Sequence, residues 1–263
     1  ADLGKSETEA WTTEIGFSLN DIAHQRHHLK GWAKPRRVRT PLLFQPGRSR
    51  IVPEPKGVAL IIAPWNYPLQ MAMWKALPAI AAGNTIVLKP AEITPLTTLM
   101  FAEDAHTAGI PAGVINIVNG LGPVVGEALV GHHDVDMVSF TGSTPVGHRV
   151  MSLAAKRGAR VHLELGGKAP FVVFDDADLD AAIQGAAAAA LINTGQDCTA
   201  ATRVYVQRPL YERFVDGVSD VFSSISMGDP RDPSTDMGSL VSLAQRDRVS
   251  AFVDAAVLRG AKI

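Results

Sequence analysis

The chain holds a single cysteine in 263 residues, so no intrachain disulfide can form and no cysteine-rich zinc module is present. That scarcity fits a reducing compartment. Neither sign of charge is in excess. Against 25 Lys and Arg stand 26 Asp and Glu, and the net charge of −1 removes whole-chain polyanion binding as a default. No apolar run approaches the ~18–20 residues of a membrane span, and the longest candidate, 57–63, is cut by Pro64. The opening residues, ADLGKSETEAW, lack an apolar signal-peptide core. A cytoplasmic location is the expectation. What the chain does have is a 46% hydrophobic fraction, enough for a real core and too much for a disordered chain.

Periodicity divides the chain. In 7–33, Trp11, Ile15, Leu19, Ile22, Leu29 and Trp32 recur at helical spacing and predict one amphipathic helix with His24, His27, His28 and Lys30 opposite. Residues 35–57 are proline-rich and irregular, with short extended pieces at 42–45 and 50–52. From 57 onward, short apolar runs alternate with helical segments. Strands are expected at 58–63, 85–88, 114–118, 136–140 and 160–164, and helices at 68–82, 94–109, 123–130 and 145–157. Such alternation implies crossover connections, hence a doubly wound parallel sheet of Rossmann-like α/β type. A second α/β region follows, with strands at 171–174 and 204–207, helices at 178–193 and 209–225, and a final helix ending at Gly260 before a strand begins at Lys262. The expected domains are 1–165, containing an extended oligomerisation segment at 42–57, and 166–263, an incomplete second domain.

Functional loops of a parallel sheet lie at the carboxyl ends of its strands. The 58–63 strand ends in APWNYP, where two prolines stiffen a turn carrying Asn66. A rigid amide there suits an oxyanion, or the turn is simply polar. After 85–88 come Lys89 and Glu92, spaced to meet ribose hydroxyls or to pair with each other. After 114–118, Gly120, Gly122 and Gly126 form a dinucleotide-type turn with one residue too many between the last two glycines. After 136–140, Gly142, Ser143 and Pro145 open a helix whose N-terminus suits a phosphate, or is merely capped. After 160–164, Glu164 precedes Gly166, Gly167 and Lys168; it suits a general base or an ion pair with Lys168. The loop Asn193-Thr194-Gly195-Gln196-Asp197-Cys198 carries the lone thiol, a nucleophile or a structural cysteine.

Taken together and in this order, PWNYP, KPAE, FTGSTPVG, LELGGK and GQDC resemble the NAD(P)-dependent aldehyde dehydrogenase superfamily. Residues 11–70 look like its class 3 branch, and the chain from about Ala82 looks like the aminobutyraldehyde and betaine-aldehyde branch. The resemblance implies that Cys198 attacks an aldehyde, that Asn66 stabilises the oxyanion, and that Glu164 activates the water that hydrolyses the thioester. It implies cofactor contacts at Ala63, Trp65, Lys89, Glu92, Gly122, Gly126, Phe140, Gly142, Ser143, Val146, Gly147 and Leu165. A carboxylate at Glu92 accepts ribose hydroxyls and repels a 2′-phosphate, so NAD is favoured over NADP. No metal is implied.

The chain covers about half of a typical family member and lacks the later Glu-Phe-x-Gly-Pro stretch. Two alternatives therefore stay open: a fragment that keeps the dinucleotide fold without turnover, and a coenzyme A-acylating enzyme, against which Glu164 argues. The partners expected are a small-molecule aldehyde and, for the full-length form, further copies of the chain. Residues 24–50 hold eight Lys and Arg and no acidic residue. The excess is local and poor in aromatics beyond the apolar helix side, so no nucleic-acid partner is expected.

Overall fold

A computed structural model describes residues 3–263, which divide into two compact units. One spans Trp11–Leu165. The other joins Gly166–Ile263 with the described residues up to Ala10, including the single turn α1 (Glu7–Ala10).

The first unit opens with a wide π-helical turn, Trp11–Ile15, leading into α2 (Gly16–Trp32). That turn corrects the expected helix. A π-turn inserts a residue relative to α-helical spacing and rotates the rest of the helix by about 100°. The face turned inward is therefore the one bearing Glu14 and Ser18, while Trp11, Ile15 and Leu19 remain exposed. Buried Glu14 has a specific task. Its Oε2 accepts the backbone N–H groups of Leu69 (2.9 Å) and Gln70 (2.8 Å), two donors otherwise orphaned at the start of α3 (Gln70–Ala81). Between α2 and α3 run β1 (Arg36–Val38) and β2 (Ser49–Ile51), an antiparallel hairpin, and then β3 (Val58–Ile62). The hairpin tip, Leu42–Phe44, is a 3-10 turn rather than the expected extended piece, because Phe44 and Gln45 donate back to the carbonyls of Pro41 and Leu42.

β4 (Thr85–Lys89), α4 (Leu96–Thr107), β5 (Ile115–Ile117), a second π-turn at Gly122–Gly126 with α5 (Glu127–Gly131), β6 (Met137–Gly142), α6 (Thr144–Ala155) and β7 (Arg160–Leu165) complete the unit. Its five strands are all parallel in the order β5-β4-β3-β6-β7. The chain runs outward from β3 in one direction, returns, and runs outward from β6 in the other. Both sheet faces are covered. Ala59, Ile61, Ile86 and Leu88 pack under α3, where Ala72 and Ala76 let the helix approach closely. On the other face Leu60, Val138 and Phe140 meet Val130, Val150 and Ala154. Leu60 and Val138, paired across β3 and β6, are both fully buried and contribute about 1.5–3 kcal/mol each.

Polar pins set the start of the sheet. Asn84 Oδ1 accepts the N–H groups of Lys56 (2.6 Å) and Gly57 (3.0 Å). Asp136 Oδ2 accepts Val58 N–H at 2.8 Å. Gly57 has φ +122°, and a Cβ there would strike the Asp136 carboxylate, so only glycine fits.

The second unit holds a parallel pair, β8 (Ala169–Val173) and β9 (Ala201–Val206), connected through α7 (Leu179–Leu191). Asp178 caps α7 by accepting Ala181 N–H at 3.1 Å. α8 (Tyr211–Ser224) packs on α7, burying Val173, Ile183, Ala186 and Phe214. Next comes α9 (Leu243–Leu258). Residues 261–263 form neither helix nor strand. Among the described residues no helix is long and apolar enough to cross a membrane.

The Glu14 contact yields a prediction. Glu14→Ala leaves two buried-end donors unpaired and lowers stability by about 1–3 kcal/mol, read as a lower urea midpoint. Asp21→Ala, which removes only a helix-surface bond to Gln25, stays within about 0.5 kcal/mol. Equal midpoints for the two variants contradict the cap.

Candidate active site

The reversal of strand order falls between β3 and β6, and crevices at such points take ligands outside the strand ends. A cavity of about 460 Å³ opens there, lined by Ile62, Phe140, Val146, Val150, Leu153 and Val130, with Gly122, Pro123 and Gly126 along one side. Of the expected cofactor residues, Gly122, Gly126, Phe140 and Val146 line it. Arg149 and Glu127 stand at its edge as an ion pair at 2.5 Å, and the guanidinium hydrogen bond holds the Glu127 carboxyl below its ordinary range.

The remaining expected cofactor residues surround this cradle or lie at neighbouring strand ends. Ala63 extends β3, donating its N–H to Lys89 O at 3.0 Å. Lys89 is buried; its Nζ reaches Pro90 O (2.9 Å) and Glu92 Oε2 (3.4 Å), while Glu92 keeps 41% of its side chain exposed. Ser143 occupies the N-cap of α6 in extended conformation without making a side-chain cap. Gly147 faces Leu165: a Cβ would come within 2.5 Å of its Cδ2, so glycine lets the two close on each other without displacing the leucine. At Gly142 a Cβ would similarly collide with the Phe140 ring. These features fit a dinucleotide: an apolar slot for a flat base, a helix N-terminus for phosphate, and a carboxylate for ribose hydroxyls.

Asn66 lies half-buried in the turn after β3, which Thr94 pins by donating to Trp65 O at 3.4 Å. Glu164 lies exposed near the end of β7, in register with Thr141. Its contact is His162, with Nε2 and Oε1 3.2 Å apart. Thr141 Oγ1 is buried and makes no hydrogen bond among the described residues.

Cys198 belongs to the other unit and is exposed. The loop that holds it is unusual. Asn193 (φ +53°), Thr194 (φ +58°) and Gly195 (φ +70°) are all left-handed, and for the two non-glycine residues this costs on the order of 1–3 kcal/mol each. A reciprocal amide clamp holds them: Asn193 Nδ2 donates to Gln196 O (3.0 Å) and Gln196 Nε2 to Asn193 O (3.1 Å). Asn193 N–H is taken by the Glu9 carboxylate, and Gln196 Oε1 accepts Val241 N–H at 3.0 Å. Asp197 then accepts the N–H and hydroxyl of Thr199, forming a tight turn around the cysteine. Gly167 backs onto this turn; a Cβ there would lie 3.5 Å from Cys198 O.

The aldehyde dehydrogenase family profile matches residues 1–263. The chain belongs to the aldehyde dehydrogenase family. It is 40% identical over its whole length to the cytosolic 10-formyltetrahydrofolate dehydrogenase of Xenopus laevis, of which it covers 29%. It is 44% identical over 80% of its length to the 2-aminomuconic semialdehyde dehydrogenase of Bos taurus, covering 43% of that protein. Among solved structures, the betaine aldehyde dehydrogenase of Staphylococcus aureus in complex with NAD+ superposes with TM-score 0.92 at 38% identity, matching all of this chain and 51% of that one. An aldehyde dehydrogenase from Brucella melitensis gives TM-score 0.92 and 38% identity over 99% of this chain and 53% of its own. The chain thus spans about half or less of the relatives it matches.

Within this aldehyde dehydrogenase chain, sequence reasoning passes over several residues. Arg149 and Glu127 sit on helix surfaces with no motif to mark them. Thr141 lies inside FTGST but is overshadowed by the serine. Asn193 and Gln196 read as plain loop residues, although Asn before Thr-Gly at a helix end is a left-handed stop signal. Lys75 carries no sequence signal at all. His132, His133 and Asp134 bring potential ligand atoms within 4.8 Å of one another, but all three are exposed on the turn before β6.

Burial pushes the Lys75 ammonium down from 10.5 to about 8, with Glu164 opposing the shift. Between those values the unfolded chain binds a proton that the folded one lacks, so stability rises with pH across that window. Below pH 8 both states are charged and the full burial penalty applies. Lys75→Met is therefore expected to change stability more favourably at pH 7 than at pH 10.5, measured by urea midpoints. The same change at both values contradicts the shift.

Proposed function

We propose that the protein to which this chain belongs oxidises an aldehyde to a carboxylic acid with NAD. The observation that carries this reading is the loop 193–199, in which left-handed backbone and an amide clamp at 193–196 lead directly into one exposed thiol. Strained backbone of this kind clusters at functional sites, and Cys198 follows it within a few residues. The family membership and the cradle at the β3/β6 reversal support it independently.

In this reading Cys198 attacks as the thiolate. A free thiol has a pKa of ~8.5, so its surroundings or a base must favour that form. The attack gives a thiohemiacetal whose oxyanion accepts a hydrogen bond from the Asn66 amide. NAD, when bound, supplies the acceptor for the hydride that leaves this carbon, and a thioester on Cys198 remains. Glu164 removes a proton from the water that hydrolyses the thioester. The apolar walls at Ile62, Phe140 and Val146 hold the adenine, the α6 N-terminus with Ser143 faces the pyrophosphate, and Lys89 and Glu92 orient a ribose. The Glu92 carboxylate favours ribose hydroxyls over a 2′-phosphate, hence NAD over NADP.

Cys198→Ser is expected to abolish NADH production from an aldehyde panel while leaving NAD binding, followed by intrinsic fluorescence, unchanged. Glu164→Gln should give one burst of NADH and then stall on the acyl-enzyme. Oxidation by Cys198→Ser, or undiminished steady turnover by Glu164→Gln, contradicts the assignment. NAD binding without turnover in the unaltered chain assigns it the fragment role, and release only on adding coenzyme A assigns an acylating reaction.

The hairpin tip Leu42, Leu43 and Phe44, 89%, 87% and 65% exposed, is the surface this reading gives to subunit contact in the whole protein. Leu43→Ser should lower the sedimentation mass of any assembled form; an unchanged mass removes the tip from that contact.

A further inference from the structure

β7 alternates, so Arg160, His162 and Glu164 project, exposed, from one sheet face, the face on which α3 packs against the neighbouring strands. On that face a line of polar contacts runs inward from the carboxylate. His162 Nε2 lies 3.2 Å from Glu164 Oε1, and its Nδ1 lies 3.1 Å from Ser139 Oγ. Ser139 Oγ is 3.0 Å from Lys75 Nζ, which is itself 3.5 Å from His162 Nδ1. Lys75, Ser139 and His162 line a second cavity of about 360 Å³, walled by Trp74, Pro78 and Met137, on the opposite sheet face from the nucleotide cradle. The oxidation scheme uses none of the three. Yet a base that takes a proton from water in every cycle must lose it before the next.

We propose that His162 is a positioning residue for Glu164, and that the charge on Lys75, relayed by the Ser139 hydroxyl, decides which imidazole nitrogen carries the proton. The inference rests on the reading of Glu164 as the water-activating base. An ammonium only donates. When Lys75 is charged, Ser139 Oγ accepts from it and turns its own hydrogen to His162 Nδ1. The remaining imidazole proton is then on Nε2, donated to Glu164, which is held as a carboxylate. When Lys75 is neutral its lone pair accepts the Ser139 hydrogen, Oγ accepts Nδ1–H, and Nε2 is bare. A protonated Glu164 then breaks its O–H bond as Nε2–H forms. Nδ1 gives its proton to Ser139 as Ser139 gives its own to Nζ. The net change is one proton moved from Glu164 to Lys75, where cavity water takes it.

Burial places the Lys75 transition at about 8, so both states are accessible near neutral pH. The charged groups on this face around His162 are Lys75 from α3, Lys56 on the cavity wall before β3, and Arg160 and Glu164 on its own strand.

The test is nitrogen NMR of the full chain labelled at histidine, from pH 6.5 to 9.5, with the His162 signal identified by its loss in His162→Gln. The expected result is a change from the Nε2–H to the Nδ1–H tautomer with a midpoint near pH 8. That midpoint should vanish in Lys75→Met and in Ser139→Ala. One tautomer throughout, or the same midpoint in both variants, overturns the coupling. The steady-state rate of NADH release supplies a second readout. An alkaline limb near pH 8 that Lys75→Met removes while keeping the first burst supports the coupling, and a limb unmoved by Lys75→Met overturns its catalytic use. A tautomer switch without aldehyde turnover keeps the coupling and removes the reading of Glu164 as base; turnover with His162 locked in one tautomer does the reverse.

Discussion

The pairing of β3 with β6 is the constraint on which the first unit depends. Those two strands are consecutive in space and far apart in sequence, and the chain leaves them in opposite directions. The crevice at their carboxyl ends arises from that reversal rather than from any single side chain. Leu60 and Val138 make the reversal stable, because both are removed from water at the junction. The pins at Asn84 and Asp136 then fix where the strands begin, and so where they end. A slip of one residue would exchange the faces that carry Phe140 and Thr141.

The two faces of the sheet have different chemistry. One offers Ile62, Phe140 and Val150, an apolar slot suited to a planar base. The other carries Ser139, His162 and Glu164, a polar line that runs from the buried Lys75 of α3 out to the exposed Glu164 carboxylate. Strict alternation along β6 and β7 puts the apolar slot and the polar line on the same strands but on opposite surfaces. In the second unit the same economy appears in the loop before β9, where two side-chain amides hold a conformation that backbone preference alone opposes.

Much of this is legible in the sequence. The five parallel strands and their helices arise from short apolar runs bounded by glycine and proline, and the family is readable from motifs at the strand ends. The failures share a cause: hydrogen bonds that a residue pattern does not show overrule it, some local and some from far along the chain. The apolar stripe of 7–33 presumes a constant helical period, but the π-turn at 11–15 rotates it, and Glu14 goes inside to meet Leu69 and Gln70. Residues 42–45 look extended, but Pro41 and Leu42 accept bonds that curl them. Lys75 looks like any lysine on a helix until tertiary structure buries it against Ser139. The glycine turn at 120–126, one residue too long for the usual fingerprint, reaches the cradle through a π-turn that absorbs the extra residue.

The proposed reading has NAD bind at the β3/β6 reversal, against Gly122, Gly126, Ser143 and Val146. The most direct measurement is a backbone amide chemical-shift titration of the chain with NAD. The account requires the largest shifts at those four residues and at Phe140, saturating together. Saturable shifts clustered around Ser139 and His162 on the opposite face, with the cradle amides unmoved, would contradict it.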